Sequence, residues 1–257
     1  MSSNHSDDDP FLYLCLGIVL GVVAFFRGFN VRAKKKLIEN IPTSTVRGMA
    51  VGLAEIHGMA RPCGETIKAP FSKTESVFFH YKIEEHRGSG KSSHWVTIKE
   101  FASPQYFFLE DSTGKALIDP AGAELFLAAD REYQLGFTGG DNARAFEDGL
   151  IDIGIDPHGF LGLHKELRCS ETFICPGDPI YALGTAAINV SSDGSQTGCE
   201  NLCIQKGPGI FFCLSDKSEK ELLASMGWKM YLYLYGGPVL TVTCLFFLIR
   251  LYFSNFF

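Results

Sequence analysis

The feature that most constrains this chain is an uncharged, apolar run near its C-terminal end, from Met230 to Ile249. Its twenty residues, at about 1.5 Å each, make a helix of about 30 Å, the thickness of a bilayer's hydrocarbon core. Tyrosines lie at both ends, as in the aromatic belts at membrane interfaces. The alternative is a helix buried in a soluble core, but uncharged runs of this length are typical of membrane spans. We therefore predict a transmembrane helix over 230–253.

A second apolar run, Phe11–Phe26, predicts another transmembrane helix over 11–29. The competing interpretation is a secretory signal peptide, which needs a basic leader and a small-residue cleavage site. The leader contains Asp7, Asp8 and Asp9 but no lysine or arginine. We therefore expect an uncleaved anchor and two membrane helices that bracket one domain.

Basic residues predict the side of the membrane on which the domain lies. Five of them follow the first run, namely Arg27, Arg32, Lys34, Lys35 and Lys36. Three lysines precede the second run, and only Arg250 follows it. The positive-inside rule then predicts a cytoplasmic domain with both termini on the opposite side. The same basic cluster is suited to contact with anionic lipid head groups.

The remaining boundaries follow from these spans. We expect a polar tail over 1–10, a basic juxtamembrane helix and linker over 30–44, a β-rich domain over 45–215, a juxtamembrane helix over 216–229 and a tail over 254–257. The first helix is expected to end at Ile41-Pro42, because the residue before proline disfavours helix. Ser215 is expected to cap the helix that begins at Asp216.

Alternating apolar residues and turn signals predict β structure between the spans. The predicted strands are 49–59, 77–87, 94–101, 106–109, 115–118, 166–174 and 179–187, with a final pair or a bent strand over 202–214. We expect hairpins at 77–101 and 106–118. We also expect a short helix at 143–150, a surface loop at 190–197, and either strand or helix at 123–129. The fold class is a membrane protein with two transmembrane helices and one mainly-β (α+β) domain.

Composition and motifs give no sign of an active site. The net charge of −6 argues against a nucleic-acid surface. His80 and His86 lie about 20 Å apart along one predicted strand, too far for one metal ion. The pattern of a serine hydrolase, a zinc protease or a phosphate loop does not occur. We therefore expect no catalytic residue, no metal ligand and no cofactor.

Six cysteines fall in the domain, namely Cys63, Cys169, Cys175, Cys199, Cys203 and Cys213. A cytoplasmic location predicts free thiols, whereas an oxidising location would allow disulfides. The sequence contains no Cys-x-x-Cys pair, so a structural zinc site is a weak hypothesis.

Several stretches resemble the GIDE family, whose domain is also called BAM, for "beside a membrane". The segments are 49–87 and the run from Tyr106 to Leu125, followed by 166–184. The positions to which the resemblance assigns a structural role, within 45–215, are Pro70, Ser72, Tyr81, Trp95, Leu109, Asp111, Gly114, Asp119, Pro120, Glu166, Gly177, Asp178, Tyr181 and Gly184. The last five of these positions, from Glu166 to Gly184, are expected to lie in one pair of neighbouring strands.

The resemblance also implies a family role. Ligases of this family, in mitochondria and plastids, have a span, the domain, a second span and then a RING finger that binds zinc and recruits a ubiquitin-loaded E2. Here residues 250–257 contain neither cysteine nor histidine, and no RING spacing occurs. Because RING-less relatives are expected in prokaryotes, we predict a prokaryotic cell membrane, with an organelle outer membrane as the alternative. Mitochondrial members place the domain in the intermembrane space, whereas the charges here predict the cytoplasm.

The sequence thus predicts an integral membrane protein whose domain is a non-catalytic interaction or sensing module. Its expected partners are the bilayer and a protein or lipid head group, and an oligomer is left open. The alternative, by family descent, is an E3 ubiquitin ligase or ligase subunit that acts in ubiquitination and membrane organisation. A third class is a membrane hydrolase with an unrecognised site.

Overall fold

A computed structural model of the chain describes residues 10–88, 93–136, 143–158, 165–188 and 202–254. The described chain forms two compact units. Residues Met1–Ile41 and Glu219–Phe257 belong to a helical unit, and Pro42–Ser218 form a β-rich unit. The expected loop at 190–197 lies outside the described residues.

The helical unit contains a long helix α1 (Pro10–Asn40), which ends before Ile41-Pro42, and a second helical segment. That segment consists of α3 (Glu219–Tyr231), one π-helical turn (Leu232–Gly236) and α4 (Gly237–Ser254). Phe11–Asn40 and Glu219–Phe253 are each long and apolar enough to cross a membrane. Only 11% and 6% of their most apolar windows are buried by protein, so most of this apolar surface is uncovered.

Small residues bring α1 and α4 into close contact. A Cβ atom on Gly21 would lie 2.7 Å from the carbonyl oxygen of Gly237, and a Cβ on Gly237 would lie 2.7 Å from that of Gly21. A Cβ on Gly17 would lie 2.5 Å from Sγ of Cys244. Gly17 and Gly21 are four residues apart, the spacing by which helices pack closely in membranes.

Five strands of the β-rich unit form a closed barrel. They are β1 (Gly52–Pro62), β6 (Phe107–Glu110), β7 (Lys115–Ile118), β11 (Pro179–Ile188) and β12 (Leu202–Gln205). Their pairing runs β1-β6-β7-β12-β11 and returns to β1. All of these pairs are antiparallel except β7 with β12, which is parallel. This order and these directions are those of the OB-fold, a five-stranded Greek-key barrel.

A second, four-stranded sheet is assembled from two insertions into this barrel. Its order is β5 (His94–Ala102), β4 (Phe78–Arg87), β10 (Leu167–Ile174) and β9 (Arg131–Leu135). The β4–β5 hairpin is inserted between the first and second barrel strands, whereas β9, helix α2 (Ala143–Asp152) and β10 are inserted between the third and fourth. Since β4 pairs with β10, neither insertion forms the sheet alone.

Four short strands complete the unit. β2 (Ile67–Lys68) pairs with β3 (Glu75–Ser76), and β8 (Glu124–Phe126) pairs in parallel with β13 (Cys213–Ser215). The two predicted hairpins, at 77–101 and 106–118, are confirmed as β4–β5 and β6–β7. The helix at 143–150 is confirmed as α2, and the ambiguous segment 123–129 contains strand β8.

The expected pairing of 166–174 with 179–187 is wrong. These segments are β10 and β11, which lie in different sheets, and the turn Cys175–Asp178 carries the chain from one sheet to the other. In that turn, the Gly177 amide donates to the carbonyl of Ala60 and the Ala60 amide donates to that of Asp178, at 2.8 Å each. The turn is therefore bonded to β1 rather than closing a hairpin.

The end of the domain also differs from expectation. β12 and β13 do not pair with each other but follow one another along the same side of β11, as a bent strand would. Ser215 is the last residue of β13 and not a helix cap, because α3 begins only at Glu219. Its Oγ donates to the carbonyl of Phe126 and accepts from the amide of Lys217.

Two apolar cores correspond to the two sheets. The barrel core consists of buried β-strand residues, chiefly Ile56, Phe78, Phe107, Leu109, Ile118, Ile180, Ala182, Ile204, Phe212 and Leu214. The second core lies between the four-stranded sheet and α2 and consists of Phe71, Tyr81, Ile83, Tyr133, Leu135, Phe146, Leu150, Leu167 and Cys169.

Gly184 lies at the most tightly packed point of β11, because an added Cβ would lie 2.6 Å from the Phe212 ring and 2.8 Å from Ile204. We expect Gly184→Ala to destabilise the domain by about 1–3 kcal/mol, the usual cost of overpacking a core. Gly114→Ala is the matched control, since its Cβ would lie 3.5 Å from Val46, an ordinary contact. Urea unfolding of the full chain in detergent, followed by near-UV circular dichroism, measures both; equal midpoints would contradict the prediction.

Candidate interaction site

The motif Asp111–Gly114 holds the segment through which the chain enters the domain. Oδ1 of Asp111 accepts from the amide and hydroxyl of Thr113, at 2.6 Å each, and from the amide of Gly114 at 2.9 Å. Oδ2 accepts from the amide of Val46 at 2.8 Å, and the hydroxyl of Thr113 accepts from the amide of Arg47 at 3.0 Å. Val46 is fully buried beside this turn.

The pKa of Asp111 reflects these bonds. Burial raises the pKa of the carboxyl, but the hydrogen bonds from Thr113, Val46 and Gly114 outweigh this effect, so the pKa is lowered. Hydrogen bonds to the charged form favour that form. Asp111 is therefore a charged anchor for the linker at neutral pH.

A second carboxylate fixes the same linker. Glu55 is fully buried on β1 and accepts a 2.8 Å hydrogen bond from the hydroxyl of Thr43, while its carbonyl accepts one from the amide of Ser44. At the other connection, Asp216 Oδ2 accepts from the amide of Ala128 at 3.1 Å. The first connection is thus bonded to β1, and the second is bonded to the loop that follows β8.

The sequence analysis missed Glu171, the buried carboxylate of the second core. Its two oxygens accept from the amides of Phe71 and Ser72, at 2.9 Å each, and from the hydroxyl of Tyr133 at 3.4 Å. Glu171 is fully buried on β10. Pro70 and Ser72, two of the family positions, therefore lie in a turn that this carboxylate holds. A glutamate at an inward position of an alternating strand was the available signal.

Glu171 changes the titration of its neighbours. Burial, together with the charge and hydrogen bond of Glu171, raises the pKa of Tyr133 to about 12. Burial and the same charge raise the pKa of the Cys169 thiol well above its usual range. Both groups are therefore neutral at physiological pH.

Trp95, another family position, belongs to a polar cluster on the four-stranded sheet. The guanidinium of Arg168 lies 4.4 Å from the centre of the Trp95 ring and donates to Glu84 Oε2 at 2.6 Å. Hydrogen bonds from Lys82 and then from Arg168 lower the pKa of Glu84. His86 also contacts Trp95, with ring centres 4.9 Å apart, and pairs with Glu166.

The remaining family positions contact other residues of the domain or are buried in it. Asp178 Oδ2 accepts from the amide of Cys175 at 2.7 Å, and Gly177 has a positive φ of 98° that favours glycine. Asp119 Oδ1 accepts from the amide of Ala121 at 3.0 Å. The other five family positions are buried in the domain. They are Tyr81, Leu109, Pro120, Tyr181 and Gly184.

The five basic residues proposed to set topology lie on α1. Arg27, Arg32 and Lys36 are exposed, whereas Lys34 and Lys35 are half-buried. Lys35 pairs with Glu39 at 3.3 Å, one helical turn away. The positive charge of the cluster is therefore only partly compensated within the helix.

No disulfide joins the cysteines of the described residues. Burial, followed by the charge of Asp119, raises the pKa of Cys203 to about 11, and burial raises the pKa of Cys63 and, together with Asp178 and Asp130, that of Cys175. Thiols of raised pKa are poor nucleophiles and poor metal ligands at neutral pH. Within the described ranges, His, Cys, Asp and Glu form no group of three or more that could hold a metal ion.

Comparison with known families identifies one match. The model of the GIDE family, described as an E3 ubiquitin ligase, matches residues 79–248. The match begins within β4 and extends into α4, so Pro70 and Ser72 lie outside it. Neither a curated protein nor a solved structure matches the chain.

The Asp111 anchor gives a test of the linker contact. Asp111→Asn leaves one acceptor oxygen in place of two, so we expect a loss of about 1–3 kcal/mol in unfolding free energy and faster hydrogen exchange at the Val46 amide. Because its pKa is lowered on folding, the wild-type carboxylate stabilises the domain above the pKa of an unfolded aspartate, and this stability is lost as the pH falls through the folded value. Asp119→Asn is the control, because Asp119 bonds Ala121 and not the linker. Unchanged exchange at Val46 in the Asp111 variant would contradict the assignment.

Proposed function

Because the chain belongs to the GIDE family, we propose that it is an integral membrane protein whose GIDE domain is a non-catalytic interaction and sensing module. The two helical segments anchor the domain beside the bilayer, and the domain binds a protein or a lipid head group. Binding at the domain then affects the helices through the two hydrogen-bonded connections, at 43–47 and at Asp216.

The observation that carries this proposal is the uncovered apolar surface of both helical segments. The side chains of Leu12, Phe26, Val239 and Val242 are each about two thirds exposed, at 65–66%. Contiguous exposed apolar surface of this extent is costly in water and marks a membrane or protein contact. Both segments also have the length to cross the hydrocarbon core.

Residues near the ends of the apolar runs support the same arrangement. Trp228 is 73% exposed on α3, and Tyr231 and Tyr235 are exposed one and two turns further on. Aromatic side chains of this kind favour the interface between lipid and water. Arg27 and Arg32 follow the apolar part of α1, so the positive-inside rule favours a cytoplasmic domain.

The contacts of the domain favour binding over catalysis. The carboxylates of Glu55, Asp111 and Glu171 accept hydrogen bonds from main-chain amides or from the hydroxyl groups beside them. The thiols of Cys169 and Cys203 are kept protonated by burial. Groups that catalyse reactions instead need a pKa near the working pH and access to a substrate.

The second candidate function is an E3 ubiquitin ligase or a subunit of one, acting in ubiquitination and membrane organisation. The description of the matched family favours it. In this case the domain would present a substrate or a partner, and transfer would depend on a zinc-bound E2-docking module. We place the protein in a prokaryotic cell membrane, with an organelle outer membrane as the alternative, on the positive-inside charges and the family resemblance.

Membrane insertion has a direct test. Two segments of exposed apolar surface should hold the protein in the membrane pellet after extraction with carbonate at high pH, because alkaline carbonate releases peripheral proteins only. A variant with lysines at Val19 and Val22 of the first segment as well as at Val239 and Val242 of the second should shift to the supernatant, since each lysine costs about 3 kcal/mol at the centre of a membrane helix. Release of the unmodified protein would contradict insertion.

The ligase alternative makes the opposite prediction about metal. We expect the purified chain to bind no stoichiometric zinc, to keep its unfolding midpoint when a chelator is added, and not to accelerate ubiquitin discharge from an E2, because a structural zinc site stores folding free energy. Elemental analysis, thermal unfolding and single-turnover discharge measure these quantities. Two zinc ions per chain with a chelator-induced loss of structure would favour the ligase function instead.

A further inference from the structure

Two sheet edges border one groove on the β-rich unit. Strand β5 is at one end of the four-stranded sheet, and β8 is at one end of the sheet that contains the barrel strands. A groove of about 500 Å³ is lined by the last residues of β5, from Glu100 to Ala102, and by Ala123 with the whole of β8. Among the described strands, neither edge has a partner on its outer side.

Along each edge, alternate residues direct their main-chain amides and carbonyls away from their own sheet. The amide of Ser103 donates to the carbonyl of Phe79, and Ala102 lies opposite His80 in the register. Bonding alternates along an antiparallel pair, so the amides and carbonyls of Glu100 and Ala102 point outward from β5.

The same reasoning applies to the opposite wall. The amide of Glu124 donates to the carbonyl of Phe212, and Glu124 lies opposite Cys213 in a parallel register. Leu125, the next residue, therefore directs its amide and carbonyl away from β13. Each wall of the groove thus offers open main-chain donors and acceptors.

The edge of β5 is free of bulges where it lines the groove. Natural sheet edges are protected by bulges, charges or proline. The β4–β5 register shifts after Ile83, which is a bulge, and then stays regular from Lys99 to Ala102. An added strand therefore finds a regular edge at 100–102, about 10 Å long at about 3.3 Å per residue.

The side chains of the groove indicate the chemistry of the partner. Phe101 is 41% exposed and packs 5.7 Å from the Tyr81 ring, and Leu125 and Phe126 are half-buried across the groove. Glu100 and Glu124 add two carboxylates to the lining, and His80, which also lines the groove, lies with its Nε2 atom 3.0 Å from Oε1 of Glu100. The lining contains no lysine or arginine. Apolar positions beside carboxylates favour a segment in which apolar and basic residues alternate.

We propose that this groove binds an extended segment of a partner protein, with alternating basic and apolar residues, as a strand added to the edge of β5. The inference deepens the proposed function, because it names the surface through which the interaction module works. Strand addition gives affinity through main-chain bonds and specificity through alternate side chains. A second copy of this chain is the competing occupant.

The test uses the full chain in nanodiscs of zwitterionic phosphatidylcholine and a fluorescent heptapeptide of alternating lysine and valine, read by anisotropy. We expect saturable binding that Ala102→Pro weakens about tenfold or more, because proline removes an outward amide. Ala102→Ser keeps the amide and should bind as the wild type does. A lysine–proline peptide of the same charge cannot add as a strand, so it should bind at least tenfold more weakly.

A second pair of variants tests the charge independently of the proline. Glu100→Lys should weaken the lysine–valine peptide about tenfold, whereas Glu132→Lys, on the distant edge strand β9, should not. Equal loss from both lysine variants, equal binding of the two peptides, or no saturable binding overturns the proposal. An oligomer that Ala102→Pro dissociates, measured by light scattering, assigns the groove to a second copy and also overturns it. Retention of the chain in nanodiscs reports membrane insertion separately, so failure of the groove and failure of the anchor are distinguished.

Discussion

Main-chain hydrogen bonding along β11 is the interaction on which the rest of the domain depends. One side of β11 is bonded to β1 over eight residue pairs, and the other side is bonded to β12 and then to β13. Without β11 the barrel would have two open edges, and the parallel pair β8–β13 would have no attachment to the barrel. The bare backbone of Gly184 permits this arrangement, because Phe212 and Ile204 fill the space that any side chain would need.

Two buried carboxylates, of Glu55 and Glu171, and the half-buried carboxylate of Asp111 fix loops that strand pairing does not reach. Glu171 holds the turn at 70–72 over the second core, and Glu55 and Asp111 hold the linker at 43–47. Glu171 and Asp111 accept hydrogen bonds from main-chain amides, and Glu55 accepts one from the hydroxyl of Thr43. These carboxylates therefore position loops that the strand ladders do not reach.

Local pattern was sufficient to predict the hairpins, the short helix α2 and the end of α1 at Asn40. The barrel was not predictable in this way, because β1 pairs with β11 and β4 pairs with β10 across long stretches of chain. The turn Cys175–Asp178 has the composition of a hairpin turn, yet its flanking strands belong to different sheets. Glu171 was missed for the same reason, since its partners at 71 and 72 lie about 100 positions away.

The pairing of strands that are far apart in the sequence also determines when the domain can be completed. Every β1–β11 pair joins residues at least 120 positions apart. At translation rates of about 5–20 residues per second, β1 waits on the order of 6–24 seconds for its partner to be synthesised. During that interval the open edge of β1 and the β4–β5 hairpin lack their strand partners β11 and β10.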